Sequence, residues 1–377
     1  MRRAASTAAA AAAQLRDFLP PFFPEIPARL VAQAPAVPRE SARLCVLRRA
    51  AQTVEHRYVR DLPAVLADER WTMVVNDSRV VRCRLRARCN AGDPHVIYLL
   101  ERADASDAPA SSAAGTWRVS GDSIGAMPRG STLTVDDAGG RAAPLLATLT
   151  SHVDDGSADA LVEIRTADGS ADVASAIDSR ATVPLPPYMK WTEESSAEYN
   201  TCYAREDGSV AAPTAGLHFT PDLLAQLRAA GAELETVTLH VGYGTFGAVR
   251  AENLAEHAMH AERCIVAPDV ARRLAAARAS GRRILAVGTT ATRTLESRAR
   301  PGGRFAAGEA STDLFIREPY DFRAVDALLT NLHVPGLTPL VLTCALAGRP
   351  LVMRAYAEAV EREYRFFSFG DAMLILP

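Results

Sequence analysis

The feature that most constrains this chain is a change of rhythm along its length. From about Val80 to Val173, short strand-like runs ("HVIYLL", "TWRVS", "TLTV", "LVEIR") alternate with turns rich in Gly, Asp, Ser and Ala. That pattern predicts a small all-β barrel or sandwich. After "VPLPPYMKW" the period lengthens and strands alternate with helices. "PDLLAQLRAAG" reads as an amphipathic helix closed by Gly231 and followed by the strand "ELETVTLHV". "PDVARRLAAARASG" repeats the scheme, ending at Gly281 before "RRILAVG". Strand character also precedes the β segment, in "ARLCVL" and "MVVNDSRVVRCRLRA", with Asn76, Asp77 and Ser78 as a turn. The expected fold class is α/β: a larger α/β domain built from both chain ends, residues 17–79 and 177–377, holding an inserted small β-barrel domain at residues 80–176. Residues 1–16, an alanine run behind Arg2 and Arg3, read as a disordered extension.

Charge bears directly on partners. The 377 residues carry a formal net charge of −2, so any contact with nucleic acid has to come from a local basic patch. No stretch approaches the roughly 20 consecutive apolar residues that a membrane span needs. The six cysteines, Cys45, Cys83, Cys89, Cys202, Cys264 and Cys344, form no CxxC pair, which suits reduced thiols in a cytoplasmic protein. No membrane association and a monomeric state are expected.

Four segments carry candidate chemistry. "RRILAVGTTATRTLES" places Thr289 and Thr290 at a helix start, where threonines can cap and free backbone N–H groups favour an anion; Arg293 and Glu296 read as a solvated pair on that helix. "LHVGYGTF" has Gly242 and Gly244 after His240 but lacks the third glycine of a dinucleotide fingerprint, so its glycines read as a tight bend or a close backbone approach to a ligand. "GSVAAPTAGLHFT" puts small residues, among them Pro213, Thr214 and Gly216, ahead of His218; they leave room for a planar ligand, and a histidine there could move a proton. His257 and His260 lack the HExxH order and a third ligand, so no metal site is assigned. "YRFFSFGDAMLIL" adds aromatics that read as core, and a lone acid, Asp371. Residue chemistry alone leaves an α/β enzyme of unknown reaction.

Taken together, "NDSRV" (76–80), "PLPPYMK" (184–190), "GSVAAPTAGLHFT" (208–220), "TLHVGYGTF" (238–246), "EHAMHAE" (256–262), "AVGTTATRTLES" (286–297), "TDLFI" (312–316), "DALLTNLHVP" (326–335) and "YRFFSFGDAMLIL" (364–376) resemble, in order, the S-adenosylmethionine:tRNA ribosyltransferase-isomerase (QueA) family. The resemblance implies an α/β domain with an inserted β-barrel. It also implies transfer and isomerisation of the ribosyl group of S-adenosylmethionine onto 7-aminomethyl-7-deazaguanine at the tRNA wobble position, giving epoxyqueuosine, adenine and methionine. In the family scheme the sulfonium acidifies the neighbouring C5′ protons, a base forms an ylide whose collapse opens the ribose, and adenine leaves; no metal or redox cofactor takes part. On this resemblance His218, His240 and Asp371 are the candidate catalytic residues. Pro213, Thr214, Gly216, Gly242, Gly244, Thr289, Thr290 and Arg293 are the candidates for binding S-adenosylmethionine, the co-substrate.

The chain departs from the family pattern where positive charge is usual. "SGDS" (120–123) stands for "RPGK", "SSAEYNT" (195–201) for "DRERYQT", and "LHVPGLTPLVL" (332–342) for "FHLPKSTLLML". Fewer cations weaken phosphate binding, so the expected macromolecular partner is tRNA, through its anticodon region and with reduced affinity. Two other readings are a paralogue that uses S-adenosylmethionine on another acceptor and a non-catalytic RNA-binding homologue.

Overall fold

The computed structural model describes residues 18–19, 23–103, 114–121, 123–136, 144–153, 159–169, 172–190, 192–242 and 254–377. The expected extension at 1–16, and Gly244, lie outside the described residues. Nine strands form the main sheet: β1 (Arg43–Arg48), β2 (Thr53–Tyr58), β3 (Trp71–Asn76), β12 (Glu233–Leu239), β13 (Glu262–Val266), β14 (Arg283–Val287), β17 (Gly308–Thr312), β18 (Ala327–Asn331) and β19 (Ala372–Leu376). Their order is β17-β13-β12-β3-β14-β18-β19-β1-β2. The four strands β12, β3, β14 and β18 are mutually parallel, so Leu239, Asn76, Val287 and Asn331 all end at one edge. Strand β19 runs antiparallel to β18 and starts at that same edge, with Ala372 opposite Asn331.

Both faces of this sheet are covered, and the sequence shows why. The central strands are continuous apolar runs, as buried parallel strands require. Alternate residues serve opposite faces. Val74, Val237, Ile284, Ala286 and Leu328 pack with helices α5 (Pro268–Ala279), α6 (Thr289–Arg298), α7 (Thr338–Ala347) and α8 (Arg349–Glu361). Met73, Val75, Leu285, Val287 and Leu329 pack with α1 (Leu62–Val65) and α4 (Pro221–Ala229) through Leu62, Leu223, Leu224 and Leu227. No single helix among the described residues is long and apolar enough to cross a membrane; the apolar α7 and α8 meet at a sharp bend and are largely buried in the core.

Between β3 and β12 the chain leaves the sheet. A short strand β4 (Ser78–Val80) pairs in parallel with β11 (Glu206–Ser209), and between them lies a closed six-stranded antiparallel barrel. Its strands are β5 (Arg84–Cys89), β6 (Pro94–Arg102), β7 (Ala114–Ser120), β8 (Thr132–Val135), β9 (Leu145–His152) and β10 (Ala160–Thr166). Inward positions alternate along them: in β10, Ala160, Val162, Ile164 and Thr166 are buried. Helix α2 (Val173–Arg180) packs Val173 and Ile177 on this core, and α3 (Glu193–Ala197) follows. A hairpin of β15 (Ala299–Arg300) and β16 (Arg304–Phe305) completes the elements.

One expectation fails here. Arg293 and Glu296 do not form a solvated pair: both are buried in α6, with separate partners. The Glu296 carboxylate accepts the backbone N–H of Arg323, Ala324 and Val325, each at 3.0 Å, and so fixes the loop that leads into β18. Removing a buried acceptor strands its donors without water. Glu296→Ala is therefore expected to lower stability by about 3–5 kcal/mol in urea unfolding. A loss below about 1 kcal/mol would show that the loop does not depend on this carboxylate.

Candidate active site

The end of the sheet where β3, β12, β14 and β18 finish gathers most of the candidate segments. Asn76 is fully buried there. Its Nδ2 donates to the Leu239 carbonyl at 2.9 Å and to Thr290 Oγ1 at 3.2 Å, while its Oδ1 accepts from the N–H of Leu239 and of Ser78. Asn331 performs a similar task on β18: its Oδ1 accepts from Thr214 Oγ1 at 2.9 Å, and its Nδ2 donates to the Phe367 carbonyl at 3.2 Å. Two asparagines thus tie the turn at Thr214–His218, the start of α6 and the segment before β19 to one plane.

Within that turn Gly216 is required by space, because a Cβ there would lie 2.0 Å from the Tyr203 hydroxyl. Pro213 precedes the turn as its N-cap. His218 is buried, with Nδ1 3.0 Å from the Ala215 carbonyl and Nε2 3.0 Å from the Gly370 carbonyl. Burial pushes its pKa down, while the two carbonyls and Asp371 pull the other way. Both ring nitrogens face backbone carbonyls, of which a neutral ring can donate to one, and the ring joins two loops. Asp371 is equally tied down: it accepts from the N–H of Arg43 at 2.9 Å and of Arg365 at 2.8 Å, and pairs with the Arg43 guanidinium at 3.2 Å.

At the same end of the sheet His240 follows β12. Its ring lies against Gly208, whose φ is +139° and where a Cβ would stand 2.8 Å from Nδ1. Burial, then the nearby Arg263, lowers its pKa, so the ring is neutral at pH 7. Asp77 accepts from Thr238 Oγ1 at 2.7 Å and pairs with Arg205 at 2.7 Å, and burial raises its pKa. The Gly242 N–H donates to Glu262 Oε1 at 3.1 Å.

Helix α6 begins at Thr289, as expected, but its N-cap is Gly288 and no side chain caps it. The Thr290 hydroxyl is used otherwise, as acceptor for Asn76. The first-turn amides therefore remain directed out of the helix. Arg293, expected to bind the co-substrate, is buried with all three guanidinium nitrogens engaged: Nη1 with Glu262, Nε with the Leu314 carbonyl at 2.9 Å and Nη2 with that of Thr312 at 3.3 Å. It braces β13 against the edge strand β17 and the segment that follows it. His257 packs edge-on against Phe315, and among the described residues no group of three or more His, Cys, Asp or Glu side chains is placed to hold a metal ion.

Three further residues at this end carry no assigned role in the sequence reading: Ser78, which reads only as part of a turn, Ser209, and His333, the histidine of "TNLHVPG". Ser and His are common enough that only the fold reveals their grouping. His333 follows Asn331, its Nε2 2.7 Å from Thr330 Oγ1, and burial pushes its pKa down to about 3. A separate groove of about 530 Å³, lined by Arg228, Glu233, Glu235, Arg273 and Arg282, opens at the opposite end of β12 and touches none of these groups.

These features define an α/β fold whose candidate site lies on loops at the carboxyl ends of parallel strands, where ligands of open α/β sheets bind. Comparison with known proteins narrows that class. A family model described as queuosine biosynthesis protein matches residues 21–375. The S-adenosylmethionine:tRNA ribosyltransferase-isomerase of Anaeromyxobacter dehalogenans is 44% identical over 354 residues, 93% of this chain and 97% of that protein. The protein of that name from Thermotoga petrophila is 42% identical over 94% of this chain and 98% of its own length. Among solved structures, the crystal structure of S-adenosylmethionine tRNA ribosyltransferase from Thermotoga maritima is 34% identical, covers 94% of this chain and 99% of that one, and superposes with a TM-score of 0.50. The chain belongs to the queuosine biosynthesis protein family.

The half-buried imidazole of His333 yields a pH test. With a folded pKa of about 3 against roughly 6.5 unfolded, only the unfolded state binds a proton in that window, so stability is lost as pH falls through it, by about 1.4 kcal/mol per pH unit. His333→Asn should remove that component: the gap in unfolding free energy between variant and parent should narrow steadily from pH 6.5 towards 4. A constant gap would place the His333 pKa near its ordinary value.

Proposed function

We propose that the chain transfers and isomerises the ribosyl group of S-adenosylmethionine onto 7-aminomethyl-7-deazaguanine in the tRNA wobble position, forming epoxyqueuosine and releasing adenine and methionine. The observation that carries this reading is the convergence of Asn76, Thr214, His240, Gly242, Thr290 and Asn331 at one edge of a parallel sheet, in a member of this family. These residues lie in sequence segments far apart in the chain, and what they share is one place in space.

The roles follow from the geometry. The outward amides at Thr289 and Thr290, on the positive end of α6, suit the carboxylate of the methionine portion. Pro213, Thr214, Gly216 and Gly242 form small-residue walls along which a nucleoside can lie close to backbone. Of the candidate catalytic residues, His240 is the one that retains a ring nitrogen without a partner among the described residues. His218 and Asp371 hold the adjoining loops in position, and Arg293 fixes the outer wall. Cleavage needs proton management and exclusion of water, which these residues can supply without a metal or redox cofactor. A tRNA substrate and six unpaired cysteines agree with a cytoplasmic setting.

The departures from the family in positive charge suggest modest affinity for tRNA. Gly336, where lysine is usual, has φ +81°, a conformation that favours glycine, so its change is coupled to the local turn and a lysine there would be strained.

Incubation with S-adenosylmethionine and tRNA carrying the 7-aminomethyl-7-deazaguanine base should release adenine and methionine in equal amounts, unaffected by EDTA. His240→Ala should lower kcat by about a hundredfold. Release that ignores the tRNA would favour a different acceptor, and no release with either would overturn the reading. Binding of that tRNA should be weaker than nanomolar at physiological salt and fall steeply as salt rises.

A further inference from the structure

His240 does not stand alone. Its Nδ1 is 2.9 Å from Ser78 Oγ, Ser78 Oγ is 2.7 Å from Ser209 Oγ, and Ser209 Oγ accepts the N–H of Val241 at 2.9 Å. Both serines are fully buried. The direction of the chain follows from counting donors. Ser209 Oγ receives the Val241 N–H, and the one acceptor among the described residues for its own hydrogen is Ser78 Oγ. Ser78 Oγ, having accepted that hydrogen, directs its own to His240 Nδ1. An Nδ1 that accepts carries no proton, so the proton of the neutral ring sits on Nε2.

From this chain of bonds we infer that Ser209 and Ser78 are positioning residues that hold His240 as the neutral Nε2–H tautomer, so that His240 serves the reaction as a fixed hydrogen-bond donor and not as its base. The inference rests on the proposed function only for the word reaction; the tautomer stands on geometry alone. Protonating the ring would force Nδ1 to donate to Ser78, turn both hydroxyls round and leave the Ser209 hydrogen, in a buried site, without an acceptor. That penalty acts in the same direction as burial and Arg263. Asp77, Glu206, Asp207 and Glu309 are the acids that face the ring and oppose it. A neutral histidine that donates without giving up its proton suits an acceptor whose negative charge grows as a bond breaks, such as a ring nitrogen of a departing purine. The base that removes a C5′ proton must then be another group.

The test is ¹⁵N NMR of the intact protein labelled at histidine, with His240 assigned by comparison with His240→Gln. The expected result is a single neutral Nε2–H tautomer between pH 6 and 8. An Nδ1–H tautomer, or titration of this ring near 6.5, would overturn the inference. Ser209→Ala leaves His240 Nδ1 as the one acceptor among the described residues for the Ser78 hydrogen, so the Nε2–H tautomer should persist there. Ser78→Ala should give a mixture of tautomers, with the acid limb of the kcat/KM profile moving towards 6.5, while Ser78→Thr, which keeps the hydroxyl, should retain the parent tautomer. Should both alanine variants unfold, the pH series on the parent protein still decides. A correct tautomer without adenine release would sink the proposed function and leave the relay standing.

Discussion

The carboxamide of Asn76 is the constraint on which the working end of this protein depends. Strands β3 and β12 run side by side until Val237 meets Asn76, and there the chain must part: β3 turns away through Asp77 to the barrel while β12 continues to His240. A sheet that splits leaves backbone donors and acceptors without partners in a dry interior. The Asn76 side chain extends the ladder by one step, taking both the N–H and the C=O of Leu239 as a neighbouring peptide would, and reaches Thr290 with its remaining hydrogen. An aspartate of the same shape has no hydrogen for the Leu239 carbonyl and would set charge against it. The site is thus a consequence of how the sheet is opened.

What holds at Asn76 recurs at the other breaks. Asn331 closes the end of β18 against the segment before β19, and Glu296 gathers three amides at its beginning. Ser209 accepts the N–H of Val241 just past β12. Each is a short polar side chain at an interruption of regular backbone, and each joins segments more than 25 positions apart. Such bonds are worth little singly and much when lost, because the partner left behind is buried.

That explains which parts were legible in the sequence. The change of rhythm near Val80 and after "VPLPPYMKW" marked the barrel because inward alternation is a local signal, visible in β10 within seven residues. The strand before Gly288 and the helix after it were equally local. Arg293 and Glu296 were misread for the converse reason: three residues apart on a helix, they look like a surface pair, and only the folded chain brings Glu262 and the loop 323–325 over them. The Ser78–Ser209–His240 relay spans 162 positions and leaves no periodic trace. His218 was recognisable as unusual, but whether its nitrogens were free depended on Gly370, 152 residues away.

The relay also bears on how charge is managed at this end of the sheet. The buried ions there are matched: Asp77 by Arg205, Glu262 by Arg293, Asp371 by Arg43. The acids around His240 are likewise paired, Asp207 with Arg79, Glu206 with Arg205 and Glu309 with Arg263; beside them stand carboxamides, hydroxyls, an imidazole and the amino end of α6. In the proposed reaction the sulfonium of the substrate is then the dominant charge, and its acidifying effect on the neighbouring carbon is not diluted by a competing cation in low-dielectric surroundings. A protonated His240 would be such a cation. Holding that ring neutral therefore protects the first step of the chemistry as well as preparing a donor for the group that leaves, and one arrangement of two serines accomplishes both.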